Sequence, residues 1–432
     1  MKDVISIAPV NLTPKDLQPV LEPWIGFEIT GCSSKNLLPP GDNFACVLLD
    51  LKIRFSRSLI LNNNNNNNED DKKCLKKSLQ QEKDEEMCLV AKLFPDTEEM
   101  RSIFDFGRLF EKEIFFYERF LPVLQQLQRD LGIDDVLDIA PKFYGARRSL
   151  EQNKNQVDDG VILLMENLKT DGYYTLDKIQ GLDLEHSRLT IKTLARLQAL
   201  CIACKRHRPD FFIREVLQQA KPVPYQDRPG QTDVITTMFS MMVKDPRIVE
   251  KLPRLAPLLD PSKKDLFFNY VAEEPWLSIV HFDFWTNNIL FRKDIRGKVD
   301  SVKFIDFQNY VYNSPMRDLP YFLCTSTNED VVEGHLDELL DLYYNTFVEE
   351  LKRMKCDVEL FTRQSFDTQL KIDAALEFFH AIIAVKFFYA KIDKETYDSS
   401  QLDDVVVYSE MSQEGFDKWN QIIQVYIERG WL

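Results

Sequence analysis

Apolar and polar positions change period partway along the chain, from strand-like alternation to helical spacing. Residues 39–55, PPGDNFACVLLDLKIRF, alternate as a half-buried strand does, with Trp24–Glu28 ahead of them as the other arm of a hairpin and Gly41 at its turn. Met87–Phe94 predicts a further strand, and Gly160–Leu168 another that ends in polar residues before a turn at Asp171-Gly172. Between the first strands, residues 62–86 carry an asparagine run and mixed charges that cannot bury enough apolar surface to offset their ordering entropy, so a disordered insertion is expected there. MRSIFDFGRLFEKEIFFYERFLPVL, beginning at Met100, has helical spacing. From Leu189 onward helices are expected over 189–206, 210–219, 232–243, 334–354, 366–393 and 412–428, with a linker over 222–229. The pattern describes an α+β chain: a small, mainly antiparallel β lobe over 1–168 and a larger, mainly α lobe over 169–432.

Within the second part lies a stretch of different character, LSIVHFDFWTNNILF followed by VKFIDFQ. Trp276–Val280 and Ile289–Phe291 read as short buried strands with Ser301–Ile305 as their partner and a turn at Lys293–Gly297. A hairpin of that kind returns Asp306 to the side of Asn288. The arrangement HxDxxxxN, then an apolar run ending in Asp-Phe, is the one phosphoryl transfer uses. An acceptor hydroxyl needs a carboxylate near its proton, a task that suits Asp283. A polyphosphate needs oxygen ligands to hold Mg2+ across its charged oxygens, which suits Asn288 and Asp306. His281 is expected to be structural, hydrogen-bonding backbone near Asp306.

ATP also needs positive charge and a cradle. Lys92 stands among apolar neighbours in its strand, where an ammonium is costly to desolvate unless paired. Its expected partner is Glu113, on the packed side of the next helix with Phe110, Phe116 and Tyr117. Residues 41–45, with Gly41, Asn43 and Phe44, stand where a phosphate-covering turn would lie, although one glycine falls short of a glycine-rich loop. Backbone groups at Glu166, Asn167 and Leu168 are placed to meet an adenine edge.

Composition narrows the class further. Hydrophobic residues make up 44% of 432, with 30 Phe and 15 Tyr, enough for a large core without disulfide support. A formal charge of −15 argues against a nucleic-acid partner. The eight cysteines are scattered and the first residues lack a signal-peptide pattern, so a cytoplasmic location is expected. Cys201 and Cys204 form a lone CxxC inside a helical pattern, a poor zinc or redox site. No stretch suits a membrane span, no protein partner is evident, and His380, in a mostly apolar helix, is expected to be a packed core histidine.

With these segments in order, the chain resembles the ecdysteroid kinase-like family, also called CHK kinase-like, of the choline kinase and aminoglycoside phosphotransferase superfamily. The resemblance runs from about residue 22 to 400 and is carried by LVAKLFP, FEKEIFFYERFLP, LLMENLKTDGYY, LARLQAL, HFDFWTNNILF, VKFIDFQ and SPMRDLPYFLCTS. It implies a bilobal protein-kinase-like fold that uses ATP and Mg2+ to phosphorylate a hydroxyl of a small lipophilic alcohol, an ecdysteroid or related compound. By motif, Lys92 would contact phosphates with Glu113 holding it, Asp283 would be the base, and Asn288 and Asp306 would bind magnesium. Asp318 matches an acid that would hold the catalytic loop through backbone contacts. Two positions depart from the family pattern: Phe282 replaces the glycine of HGD, and Gln198 stands where LAxxHA is usual. Choline or ethanolamine kinase, and a pseudokinase that binds without transfer, are the alternative readings.

Overall fold

A computed structural model describes residues 12–25, 28–38, 46–56, 85–95, 105–151, 156–223, 234–258, 267, 269–391 and 409–432. They fall into two compact units, residues 1–96 with 142–170 and residues 97–141 with 171–432. A single boundary at 168 therefore misses an excursion: residues 97–141, whose helix carries Glu113, pack with the larger unit. The expected insertion lies outside the described residues as far as 84, whereas Glu85 and Glu86 already belong to a strand.

The first unit holds one helix, α1 (Pro14–Ile25), and five strands: β1 (Glu28–Asn36), β2 (Val47–Ser56), β3 (Glu85–Leu93), β4 (Phe143–Arg147) and β5 (Ile162–Glu166). The strands form one sheet in the order β1-β2-β3-β5-β4, every pairing antiparallel. Alternation sends Leu49, Leu51, Ile53 and Phe55 of β2 and Leu89, Ala91 and Leu93 of β3 to one buried cluster. Leu17, Val20, Leu21 and Ile25 of α1 cover it. Each large side chain so buried stabilises the unit by about 1.5–3 kcal/mol. Gly145 of β4 has φ +145°, and a Cβ there would stand 2.8 Å from Val20 Cγ1, so only glycine lets helix and strand approach this closely.

Two expectations for this unit need correction. Trp24 and Ile25 close α1 instead of starting a strand, because the apolar positions 17, 20, 21 and 25 follow a helical period. The partner of β2 is β1, Glu28–Asn36, whose polar sequence EITGCSSKN carries almost no alternation to read.

The second unit is mainly helical. It contains α2 (Phe106–Phe115, continued through a π turn, Phe116–Phe120, and Leu121–Asp130), α3 (Leu184–His207), α4 (Asp318–Thr325), α5 (Leu336–Arg353), α6 (Arg363–Tyr389) and α7 (Gln413–Arg429). Two small antiparallel ribbons sit among them: β6 (Ser278–Val280) with β9 (Val311–Asn313), and β7 (Ile289–Lys293) with β8 (Val299–Phe304). The expected common partner over 301–305 thus serves only β7. Asp306, with φ +67°, turns the chain after β8 so that Val311–Asn313 comes back along Ser278–Val280 instead. A small antiparallel β unit and a larger helical unit are what the α+β, kinase-like reading called for.

Candidate active site

The loop between β6 and β7 is held mainly from outside itself. Asp318, at the start of α4, accepts the backbone N–H of His281 on Oδ2 and that of Phe282 on Oδ1, both at 2.9 Å. Gln198 of α3 donates Nε2 to the same Oδ2 at 2.8 Å and to Pro315 O at 3.1 Å, while the Tyr343 hydroxyl donates to its Oε1. Gln198, where the chain departs from LAxxHA, therefore supplies a buried donor to Asp318. Burial pushes the Asp318 carboxyl up to about 7, and the two backbone donors pull it back.

His281 donates Nε2–H to Ile305 O at 3.0 Å, and its ring centroid lies 4.7 Å from that of Phe307. Phe307 in turn stacks on Phe116 of α2 at 3.7 Å with the rings 8° apart. Burial holds the imidazole neutral by lowering its pKa to about 4. A neutral ring whose proton is committed to a carbonyl fixes strand to loop and does not shuttle protons.

The Asn288 amide closes the loop, with Nδ2 donating to Asp283 O at 2.9 Å and to Asp283 Oδ2 at 3.1 Å. Its own carbonyl accepts Ile305 N–H at 3.0 Å, which ties the end of β8 and the neighbouring Asp306 to the loop. Asp306 Oδ2 accepts Gln308 Nε2 at 3.1 Å. Burial first, and then the charge of Asp306, raise Asp283 to about 7, while His380 and hydrogen bonds from Asn288 and Trp285 act the other way.

Two carboxylates that repel each other stand beside an amide whose nitrogen is committed, and carboxylate and amide oxygens are the hard ligands that Mg2+ takes. Among the described residues no group of three or more His, Cys, Asp or Glu could hold a metal. An ion here would therefore depend on Asn288, Asp306 and phosphate oxygens together, as magnesium sites commonly do.

In the first unit Lys92 is buried, 3% exposed, at a β3 position opposite Leu48 and Leu163. Glu113 is buried in α2 of the second unit, so their expected pairing joins residues of different units and rests on the sequence. Glu166 N–H donates to Lys142 O and Asn167 O accepts Thr170 N–H, so two of the backbone groups expected to meet an adenine edge are already bonded. Gly41, Asn43 and Phe44 lie outside the described residues. His380 is no core residue: its side chain is 23% exposed, and it stacks on Tyr321 at 4.0 Å. Sequence reasoning missed Trp285 as a partner of Asp283, and the fully buried Arg317–Glu377 ion pair at 2.5 Å behind the loop. Only the position of Trp285, two residues after the candidate base, could have signalled its role.

Among curated proteins none matches the chain. Solved structures similar to it include a Plasmodium vivax ethanolamine kinase, 13% identical over 87% of this chain and 82% of that one, with a TM-score of 0.37. An amicoumacin kinase solved in complex with AMP-PNP, Ca2+ and Ami is 9% identical over 89% and 88%, also at 0.37. The GDP complex of an aminoglycoside 2′-phosphotransferase variant is 13% identical over 85% and 98%, at 0.34. The profile of the ecdysteroid kinase-like family matches residues 40–356, a span that takes in Lys92, the whole loop from His281 to Asn288, Asp306 and Asp318, and the chain belongs to that family.

Proposed function

We propose that this protein is an ATP-dependent small-molecule kinase that transfers the γ-phosphoryl group of MgATP to a hydroxyl of a lipophilic alcohol, an ecdysteroid or a related compound. Family membership supports the kinase, and the joining of Asp283, Asn288 and Asp306 through one loop and one strand end carries the assignment of roles. Asn288 and Asp306 would hold Mg2+, which supplies positive charge to the polyphosphate. Lys92 binds donor phosphates.

Asp283 hydrogen-bonds the acceptor hydroxyl and aims its oxygen at the γ-phosphorus. As the new P–O bond forms and the bond to the ADP oxygen breaks, the hydroxyl proton passes to the Asp283 carboxylate. An alcohol is far less acidic than a carboxylic acid, so this transfer is late. Burial, the larger cause of its raised pKa, makes the Asp283 carboxylate a better proton acceptor than an ordinary aspartate.

A cationic acceptor such as choline fits less well. A cage for a quaternary ammonium needs several open aromatic faces around one point. Here Trp285 and Phe388 stack on each other at 4.5 Å and 9°, and the Lys178 ammonium lies 5.8 Å from the Phe388 centroid. Paired flat rings with a cation already beside them favour a flat, uncharged body.

Asp283→Asn should leave MgATP binding and the folded structure in place while turnover falls by about 10² to 10⁴. Calorimetry with MgATP and an ATP-consumption assay across ecdysteroids, choline and lipophilic alcohols measure the two. Wild-type turnover in the variant would move the base to another residue.

A further inference from the structure

The hairpin whose base carries the candidate magnesium ligands ends in a tip of different character. Asn288 directly precedes β7 and Asp306 follows β8 by two residues, so the strands carry the turn between them about 15–20 Å away from both. Ile289, Leu290 and Phe291 are buried, whereas every residue from Arg292 to Lys298 except Asp294 is exposed. That exposed run holds four cations, Arg292, Lys293, Arg296 and Lys298, in a chain whose formal charge is −15.

The turn is closed by its own hydrogen bonds. Asp294 Oδ1 accepts the N–H of Arg296 at 2.8 Å and that of Lys298 at 3.0 Å, and Asp294 N–H donates to Lys298 O at 2.8 Å. Gly297, at φ +83°, supplies the left-handed residue that completes it. The Arg292 guanidinium lies 5.0 Å from the ring centroid of Tyr173 and Lys293 Nζ 5.7 Å from that of Tyr174, while the Tyr173 hydroxyl meets Ser301 Oγ at 2.7 Å. Among the described residues no carboxylate pairs with Arg292, Lys293 or Lys298, and Arg296 meets Asp294 at 4.0 Å. The exposed Asp300 stands behind them on β8, so four cations face two carboxylates, one of which is committed to the turn. At the apex, between the two pairs of cations, Ile295 is fully exposed.

We propose that this tip docks on an anionic phospholipid surface, with Ile295 entering the boundary between headgroups and acyl chains and the four cations meeting the lipid anions. A convex turn has no groove in which to enclose a small anion. A bilayer accepts a protruding apolar side chain flanked by cations, because each part finds its own layer. The acidity of the rest of the chain does not forbid the contact: at physiological ionic strength the Debye length is about 8 Å, and charges farther from the lipid than that are largely screened. The proposal goes beyond the kinase reading and stands independently of it. For an enzyme of lipophilic alcohols, such docking would bring the catalytic hairpin to the phase in which those alcohols dissolve.

The test mixes the full chain at physiological salt with vesicles of equal parts phosphatidylserine and phosphatidylcholine, or of phosphatidylcholine alone, and reads the bound fraction by flotation. Wild type should float with the anionic vesicles and not with the neutral ones, and about 1 M NaCl, where the Debye length falls to about 3 Å, should release it. Arg296→Gln combined with Lys298→Gln should weaken partition about 25-fold, since each basic residue near an anionic surface is worth about fivefold. Ile295→Ser should weaken it by roughly threefold or more. All three side chains are exposed and stand outside the catalytic loop, so thermal unfolding and ATP consumption in solution should match wild type. Failure of wild type to float, equal flotation on neutral vesicles, or flotation unmoved by the Arg296 and Lys298 changes overturns the proposal. Full binding by Ile295→Ser overturns it too, since a site for soluble polyanions needs the cations alone.

Discussion

Lys92 and Asp283 are the principal charged candidates of the two units, and they are held in place by opposite means. Lys92 sits in the middle of a five-stranded sheet, where β2 and β5 flank β3 and the ladder fixes its backbone whatever the nearby side chains are. Asp283 sits on a loop with little ladder of its own. What shapes that loop is a set of side-chain contacts, from Asp318 and Gln198 elsewhere in its unit and from its own His281 and Asn288. A strand-borne group inherits precision from regular structure. A loop-borne group needs each bond made separately, so it is open to adjustment by evolution and vulnerable to single substitutions.

The contrast is tested most severely at Asp318. Asp318→Ala strips the acceptor from two backbone N–H groups, one buried and one part-buried, and from the buried Gln198 amide. Each unsatisfied donor costs about 1–3 kcal/mol, so a loss on the order of 3–5 kcal/mol is expected, with turnover down more than about 100-fold. Urea unfolding followed by activity measurement at low denaturant reads both. A variant within about 1 kcal/mol of wild type would mean that the loop holds its own shape, and the contrast between ladder and loop would be lost.

The same contrast explains what could be read from the sequence. Helices α3, α5, α6 and α7 were legible because apolar positions recur over many turns, and β2, β3 and β5 because alternation survives in VLLDLKIRF and its counterparts. The HxDxxxxN spacing was legible because it is local. β1 was not, since its register comes from a neighbour and not from its own polar residues. Nor were Gln198 and the Arg317–Glu377 pair, which stand about 80, 35 and 95 residues from the loop in sequence, where no period or motif marks a contact. The excursion over 97–141 escaped for the same reason: which unit a helix packs with is decided by its partners.

One step behind the loop, Asp373 offers a milder test. It is fully buried, bonded to Ser314 Oγ and to Gln369 Nε2, and burial pushes its carboxyl up to about 8 in spite of those bonds and of Arg317. A raised carboxyl favours the fold in its protonated form. That contribution is complete below the unfolded value near 4 and is lost as pH climbs through about 8. Asp373→Asn keeps a neutral group of the same shape, so it should match wild type near pH 4 and exceed it by on the order of 1–3 kcal/mol near pH 9. Thermal unfolding across that range measures it, and parallel curves for the two proteins would show that Asp373 is ionised in the fold throughout.

The smallest expected effect concerns the residue beside the base. Phe282 has φ +67°, a conformation that glycine adopts freely and that costs other residues about 1–2 kcal/mol. In return its ring meets the Arg317 guanidinium at 4.8 Å, beside that of Phe267, which is 5.2 Å away and also 4.8 Å from the cation. A desolvated contact of that kind is worth about 2 kcal/mol, close to the backbone cost, so the aromatic residue offsets the strain it brings. Phe282→Gly removes both terms and should change stability by less than about 1 kcal/mol. Phe282→Ala removes only the ring and should be less stable than Phe282→Gly by about 1 kcal/mol. Equal stabilities for the Ala and Gly variants in urea would show that the left-handed backbone carries no cost at this position, and that the loop, like the strand bearing Lys92, takes its shape without strain.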